Sequence, residues 1–580
     1  MDMIRKMRYI LDRRQKMQIC YLGMLIFVGG LLETVSVSGL LPVVWVIIDP
    51  AKAQENKYVR LLMEVLHTDS IEGFIVPLLA AMILLYTLKN AFMLLLANEQ
   101  NKFIAHNRNK LISQVLREFL NRPYEFYLDA DIPTVFRLTD SDIPNVFNIL
   151  MAMISLVSEA VVFALLCVVM VATDWKLLVF LVVVFGCLSV LILKVMKPRL
   201  SRLGEKNLAI QSRIAKWRIQ AIYGIKDVKV LHREAFFADN YESSGKIGAG
   251  YSKRYAVMNN TPRLLIETIF IASILGYIIL YILAGNDAST LVPILTAFGV
   301  AAIRMMPSVN RINTYMTDIS YFRPCLDYVY ENMNINEISK KNNQTLKPVD
   351  AAKTMALRDR IELRDIVYAY PNTDKLIFDH ADMVIPCGKS VGIMGSSGAG
   401  KSTIVDILLG LLKVRTGSIL CDGVDIFDNY PAWLSRIGYI PQSIYLVDEP
   451  IRNNIAFGIA DSEIDDARIW DALEEAQLAA FIRGLPEGLD TAIGDRGVRL
   501  SGGQRQRLGI ARALYHNPEI LVFDEATSAL DNETEAAVMD AINSFHGRKT
   551  MIIIAHRLNT IEKCDMIYKV DAGKITRTVL

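Results

Sequence analysis

The stretch SVGIMGSSGAGKSTIVDILLGLL, residues 390–412, decides the fold of the C-terminal part of this 580-residue chain. SVGIM reads as a short buried strand, GSSGAGKS fits GxxxxGK[ST], and TIVDILLGLL continues as a helix. Strand, loop and helix in that order form the context a phosphate-binding loop requires. The glycines let backbone N–H groups turn toward phosphate oxygens, and the helix N-terminus adds a favourable dipole. Gly395, Ser396, Ser397, Gly398, Ala399, Gly400, Lys401, Ser402 and Thr403 are therefore the expected nucleotide-binding residues. Lys401 would bridge the β- and γ-phosphates, and Ser402 would ligate Mg²⁺.

Downstream, ILVFDEA, residues 520–526, is an apolar strand that ends in two acids. Asp524 suits Mg²⁺, as the acid closing the second conserved strand of P-loop nucleotidases does. Glu525 suits a general base that polarises the attacking water. From about residue 358, short strands, glycine turns and amphipathic helices alternate as in an α/β domain.

Between the two motifs lies LSGGQRQR, residues 500–507. The order P-loop, Gln442 in YIPQ, LSGGQ, VFDE, SALD at 528–531 and His556 in IIIAHR resembles the ATP-binding cassette over all of 358–580. The resemblance implies that Tyr370 in VYAYP stacks on adenine, that Gln442 senses Mg²⁺ and the membrane domain, and that His556 contacts the γ-phosphate. GDRG, 494–497, sits where exporters carry a short loop touching the membrane domain. It also implies a composite site, in which Ser501, Gly502, Gly503 and Gln504 of one cassette close over ATP held by the P-loop of another. Signature glycines offer backbone donors, and a site open to water would hydrolyse poorly. One cassette per chain then calls for a partner, most economically a second copy in a symmetric homodimer.

Upstream the chain is apolar. Hydrophobic residues make up 52% and mean hydropathy is +0.29, both high for a soluble protein. Segments at about 18–48, 74–97, 147–173, 177–196, 263–284 and 290–309 are each long enough to cross a ~30 Å hydrocarbon core as a helix. The first is long for one span and holds Pro42, so a kink or tilt is expected. The basic N-terminus, with six Lys and Arg in sixteen residues, reads as a retained membrane anchor rather than a cleaved signal. The connections TDWK and GNDAST are poor in cations, whereas 98–146 and 197–262 are basic, which places the N-terminus and the C-terminal domain in the cytoplasm. The two basic connections read as helical extensions, each with a turn, NRPYEFYLDADIPTVF and QAIYGIKDVKVLHREAFF. Those turns are either solvated or in contact with a neighbouring domain. In the external loop 49–73, Tyr58, Leu61, Leu62, Val65 and Leu66 make one apolar helix face, either a packed cap or an interfacial helix that meets a lipid. The polar stretch 330–357 reads as a linker. Seven scattered cysteines without CxxC spacing suggest neither a disulfide framework nor a metal site.

The expected fold is thus a membrane α-helical domain of six transmembrane helices, 1–329, fused through a linker, 330–357, to an α/β P-loop nucleotide-binding domain, 358–580. The first 310 residues resemble the six-span domain of ABC exporters, which implies that the two cytoplasmic turns dock on the cassettes. That membrane domain differs from those of importers.

Four cations bear on what is carried. Arg304 lies about 14 residues into the sixth span, roughly 21 Å deep at 1.5 Å per residue, and Lys89 is at similar depth in the second. Arg263 and Arg311 lie near the cytoplasmic ends and either line the cavity or snorkel to headgroups. Glu267 could pair with Arg263, and Glu33 and Glu159 could neutralise others. A buried cation costs several kcal/mol, so Arg304 and Lys89 call for a partner or a wet cavity, and an anionic pyrophosphate is such a partner. LLETVSVSGLLPVV, PRLLIETIF, IRMMPSVNRI and the external helix are similar to lipid-linked oligosaccharide flippases of bacterial protein glycosylation. That resemblance implies that Lys89, Arg263, Arg304 and Arg311 hold the pyrophosphate of a polyprenyl-linked glycan; Lys89 departs from the arginine the family would place there. The expectation is an ATP- and Mg²⁺-dependent homodimer in the bacterial inner membrane acting on a lipid-linked anionic glycan, with no nucleic acid as partner. The alternatives are an exporter of another glycolipid, a peptide or a drug, or an ATP-gated channel or scaffold.

Overall fold

The computed structural model describes residues 2–38, 63, 71–129, 132–171, 175–283, 291–342, 357–371, 373–494, 497–525, 532–555 and 561–578. The chain forms two compact units, Met1–Arg122 with Asp131–Asn343, and Pro123–Ala130 with Gln344–Leu580.

In the first unit the apolar segments lie on long helices, Arg13–Ser38, Ile71–Leu120, Ile143–Val171, Trp175–Tyr223, Glu234–Leu283 and Leu291–Asn342. Four of these have 49 to 52 residues, so each is roughly 75 Å long, well beyond a ~30 Å apolar layer. The spans thus continue as helical extensions. By length and composition, three helices among the described residues qualify as membrane-crossing: Arg13–Ser36, Gly73–Leu120 and Val135–Leu165. Small residues bring the helices close, as expected where lipid gives no hydrophobic drive. A Cβ on Gly30 would stand 2.7 Å from Val162 Cγ2, and in the helical extension beyond the fourth apolar segment one on Gly204 would collide with the Tyr321 carbonyl oxygen.

The polar stretch beginning at 330 is helical as far as Asn342. Packing explains its first turns: the N-terminal helix Asp2–Ile10 lies against it, with Lys6 Nζ 2.7 Å from Asp327 Oδ1 and Tyr9 edge-on to Tyr330 at 5.1 Å. A π-helical turn, Leu138–Asp142, precedes the third span. It brings Arg137, five residues before Asp142, to 3.0 Å from that buried carboxylate, and the guanidinium stacks 4.1 Å from the Tyr328 ring. Residues 39–62 and 343–356, which carry Pro42, most of the external helix face and the rest of the linker, lie outside the described residues.

The second unit contains two sheets. β1 (Arg360–Tyr368), β2 (Phe378–Pro386), β4 (Thr416–Cys421) and β5 (Val424–Asp425) pair antiparallel in the order β2-β1-β4-β5. The other sheet runs β10-β9-β3-β8-β7-β6, with β3 (Ser390–Met394), β6 (Ile437–Ile440), β7 (Ile520–Asp524), β8 (Thr550–Ile554) and β9 (Met566–Asp571) parallel, and β10 (Lys574–Thr578) antiparallel at its edge. β7 and β8 are buried along their whole length, which is why they read as continuous apolar runs rather than alternating ones. The short helix Tyr124–Leu128, far upstream in sequence, belongs to this unit, where Glu125 Oε1 accepts the Lys413 N–H at 2.8 Å.

Trp433 is fully buried under the P-loop helix, and its indole N–H donates to the Leu408 carbonyl at 3.1 Å. Trp433→Ala removes that volume and orphans the carbonyl, at a cost of about 3–5 kcal/mol. We expect the cassette transition in a thermal melt of the full chain to fall by several degrees; an unshifted transition would show that the site collapses without cost.

Candidate functional site

The site is assembled at the C-terminal ends of the parallel strands, the usual ligand edge of an open α/β sheet. β3 ends at Met394 and the loop Gly395–Gly400 leads into the helix Lys401–Leu408. Gly400 has φ +102°, and a Cβ there would stand 2.9 Å from Ile377, so the position suits only glycine. The loop curls around its own lysine: Lys401 Nζ donates to the carbonyls of Gly395 at 2.9 Å and Ser396 at 3.1 Å.

β7 delivers Asp524 to the same edge. Ser402 Oγ lies 3.4 Å from Asp524 Oδ1, and the Tyr439 hydroxyl lies 3.4 Å from Oδ2. Burial, and after it the neighbouring Glu525, raise the Asp524 pKa. Burial and then Asp524 push Asp406, on the P-loop helix, up to about 6. Neighbouring carboxylates disfavour ionising together, and a bound cation would relieve that repulsion. The hard oxygen set of Ser402 and Asp524 fits Mg²⁺, which takes few protein ligands and keeps water. When bound, that ion would neutralise phosphate charge.

Glu525 follows directly in a left-handed conformation, φ 50°, which turns its side chain away from the line of the strand. Gln442, two residues past β6, donates from Nε2 to Glu525 Oε2 at 2.7 Å. Tyr370 shares a hydrogen bond of 2.8 Å with the Thr403 hydroxyl, which fixes its ring beside the P-loop helix. These sequence-expected groups are therefore gathered at one sheet edge. His556 lies outside the described residues, two positions past the end of β8.

The signature forms its own helix start. Ser501 caps Gly502–Leu514 and Gln504 completes a capping box, with Gln504 N donating to Ser501 Oγ at 3.2 Å and Ser501 N to Gln504 Oε1 at 2.8 Å. Ser501 and Gln504 are thereby committed to each other, at a helix N-terminus suited to an anion. Sequence reasoning did not single out Tyr439 or Asp406. The signal for Tyr439 was present in YIPQ, three residues before Gln442.

In the membrane unit, the four cations differ. Lys89 Nζ stands 5.6 Å from the Tyr86 ring centroid, and Arg263 is exposed. Arg304 lies on the Leu291–Asn342 helix, and its side chain lies outside the described residues. Arg311 is paired: its Nε is 2.5 Å from Glu159 Oε1 and its Nη2 is 3.8 Å from Glu33 Oε1. Two carboxylates outnumber this guanidinium, so it is not an uncommitted anion receptor in this structure. Arg311, Glu159 and Glu33 together link the sixth, third and first long helices.

Comparison with known proteins bears on both units. Residues 378–528 match the family model described as ABC transporter, and residues 51–279 match that described as ABC transporter transmembrane region. The chain is 32% identical over 429 residues to a protein named ATP-dependent lipid A-core flippase from Cupriavidus metallidurans, covering 73% of this chain and 70% of that one. It is 33% identical over 409 residues to a protein of the same name from Saccharophagus degradans, covering 70% and 67%. In fold it is similar to a bacterial Atm1-family ABC exporter with ATP bound, at a TM-score of 0.76 and 22% identity, over 97% of this chain and 95% of that one.

Reversing one charge tests the role of Arg311. Arg311→Glu puts three carboxylates together and should destabilise the membrane unit by on the order of 2 kcal/mol, allowing for partial exposure. The double variant Arg311→Glu with Glu159→Arg restores the pairing and should recover most of the melting temperature and ATPase. A double variant no better than the single one would show that pairing is not what Arg311 supplies.

Proposed function

Because this chain belongs to the ABC transporter family, as an exporter-type half-transporter that binds and hydrolyses ATP, we propose that it is a homodimeric lipid flippase whose substrate is a polyprenyl-pyrophosphate-linked oligosaccharide. The observation that carries the substrate class is the set of cations on apolar helices, Lys89, Arg263 and Arg304. At the depth of Lys89 and Arg304 a cation needs an anionic or wet partner, Arg263 lies nearer the cytoplasmic end, and a pyrophosphate-linked lipid head brings two phosphates. The relatives named for moving a lipid A-core favour a lipid cargo over a peptide or a drug. They also favour a second reading in which the cargo is a glycolipid of that kind, with the same cations on its phosphates.

Dimerisation supplies the missing half of each nucleotide site. Each cassette presents a helix-start signature that caps itself, and ATP sandwiched between that signature and a second copy's P-loop would be shielded from water. The connection around the short helix Ile225–Val230 leaves Ile222, Ile225, Val230 and Leu231 at least half exposed, an apolar tip suited to the cassette of the second copy. The cation-rich connections favour a cytoplasmic N-terminus and cassette in the inner membrane of a bacterium. Closure of the cassettes on ATP would turn the cavity outward. Glu525, held by Gln442, would take the proton of the attacking water, and His556 would lie on the γ-phosphate.

Glu525→Gln should bind ATP normally and hydrolyse it about 10²- to 10⁴-fold more slowly, the range for losing a general base; normal turnover would remove Glu525 from that role. In proteoliposomes, the parent should flip a polyprenyl-pyrophosphate-linked oligosaccharide and Arg304→Ala should lose flipping while retaining ATPase. Movement of a lipid A-type glycolipid in place of the pyrophosphate lipid would select the second reading, and movement of neither would reject both.

A further inference from the structure

Strand β6 reaches both acids of the ATP site. β6 and β7 are parallel neighbours, with Tyr439 opposite Val522. Asp524 is two residues past Val522 and so projects from the same sheet face as Tyr439, as a diagonal neighbour within reach of a long side chain. The hydroxyl of Tyr439 accordingly lies 3.4 Å from Asp524 Oδ2, while Ser402 Oγ lies 3.4 Å from Oδ1. The carboxylate is bracketed, with the phosphate-loop serine on one oxygen and the phenol on the other. Both distances are long for O–H···O bonds, and such bonds tighten as a nucleotide site fills.

We propose that Tyr439 is a positioning residue for the metal carboxylate: its hydroxyl holds Asp524 Oδ2, so that Oδ1 and Ser402, the two groups that would hold Mg²⁺, face each other. The inference rests on the reading of Ser402 and Asp524 as the Mg²⁺ ligands. Three features support it. An ordinary phenol is protonated at neutral pH, so the Tyr439 hydroxyl has a proton to donate to the carboxylate oxygen it faces. The serine and the phenol donate to opposite oxygens of the carboxylate, so together they define its rotamer. The strand that carries Tyr439 also carries the chain to Gln442, which bonds Glu525 at 2.7 Å, so one edge strand sets the attitude of both neighbouring acids.

The test uses the full chain in lipid nanodiscs with Glu525→Gln present to stop turnover, and Mn²⁺ as the probe. Mn²⁺ binding in the presence of ATP is followed by electron paramagnetic resonance. Tyr439→Phe removes one oxygen and keeps the ring. It should weaken Mn²⁺ binding about three- to tenfold, which is the ~1 kcal/mol order of one net hydrogen bond. ATP binding measured in EDTA should match the parent, since the phenol faces the carboxylate and not the nucleotide. With Glu525 restored, half-saturating Mg²⁺ for hydrolysis should rise by a similar factor, with a smaller change in the limiting rate. Parent-like metal binding in Tyr439→Phe overturns the proposal, as does a fall in melting temperature without any change in metal affinity. Absence of ATP-dependent Mn²⁺ binding in the parent, or its persistence in Asp524→Ala, would instead overturn the ligand assignment beneath it.

Discussion

The hydrogen-bonded order β3-β8-β7-β6 is the constraint on which the ATP site depends. Parallel strands in register must end at one edge, so the loop after β3, the acids after β7 and the glutamine after β6 meet there although 130 residues separate Gly395 from Glu525. None of those groups has to find its neighbour through a flexible segment. The central strands β7 and β8 are buried along their length, and apolar packing rather than the polar residues at their ends specifies the ladder there. Chemistry is added at the last residue of each strand, where the backbone can leave its regular path. Glu525 does so at φ 50°, a conformation that costs free energy and that strands on either side hold in place.

The membrane unit follows a different economy. Its helices are too apolar to be sorted by hydrophobicity, so close approach at Gly30 and Gly204 and a few ion pairs fix how they meet. Arg137 with Asp142, and Arg311 with Glu159, each join residues whose charges would be prohibitive alone. This distinguishes cations by what already satisfies them. Arg311 has a carboxylate at 2.5 Å, whereas Arg263 is exposed and Lys89 rests against an aromatic face. Among the described residues neither Arg263 nor Lys89 has a carboxylate ion pair, so of these cations they are the better placed for a phosphorylated head of the kind proposed.

Much of the ATP site was legible in the sequence because each part is a short local signal on a strand end. GSSGAGKS and VFDE name their residues by pattern and context and YIPQ by resemblance to the cassette, and the structure places Lys401, Ser402, Asp524, Glu525 and Gln442 at one sheet edge. Tyr439 stands in YIPQ, but its partner was not legible, since strand pairing sets it and no spacing reveals which strand lies beside β7. The described parts of the six apolar runs lie on long helices, and the last helix continues past residue 330 into a polar segment whose first turns pack against Lys6 and Tyr9. The pairing of Arg311 was visible only as a possibility, because Glu33 and Glu159 lie 278 and 152 residues away in sequence. Long-range partners between apolar helices leave no periodic trace.

The placement of Pro123–Ala130 within the ATPase unit changes what counts as that unit's covalent boundary. The peptide that offers Glu125 to the Lys413 amide is spliced in from more than 200 residues upstream, so a fragment beginning at Gln344 is missing a piece of its native surface. In such a fragment that amide turns to water and the flank of the P-loop helix loses a cover. The ATPase rates of a soluble cassette and of the intact chain would then differ for a reason of chain connectivity, before any lipid or second copy is considered. Supplying the excised segment in trans would be complementation of a domain by its own severed part.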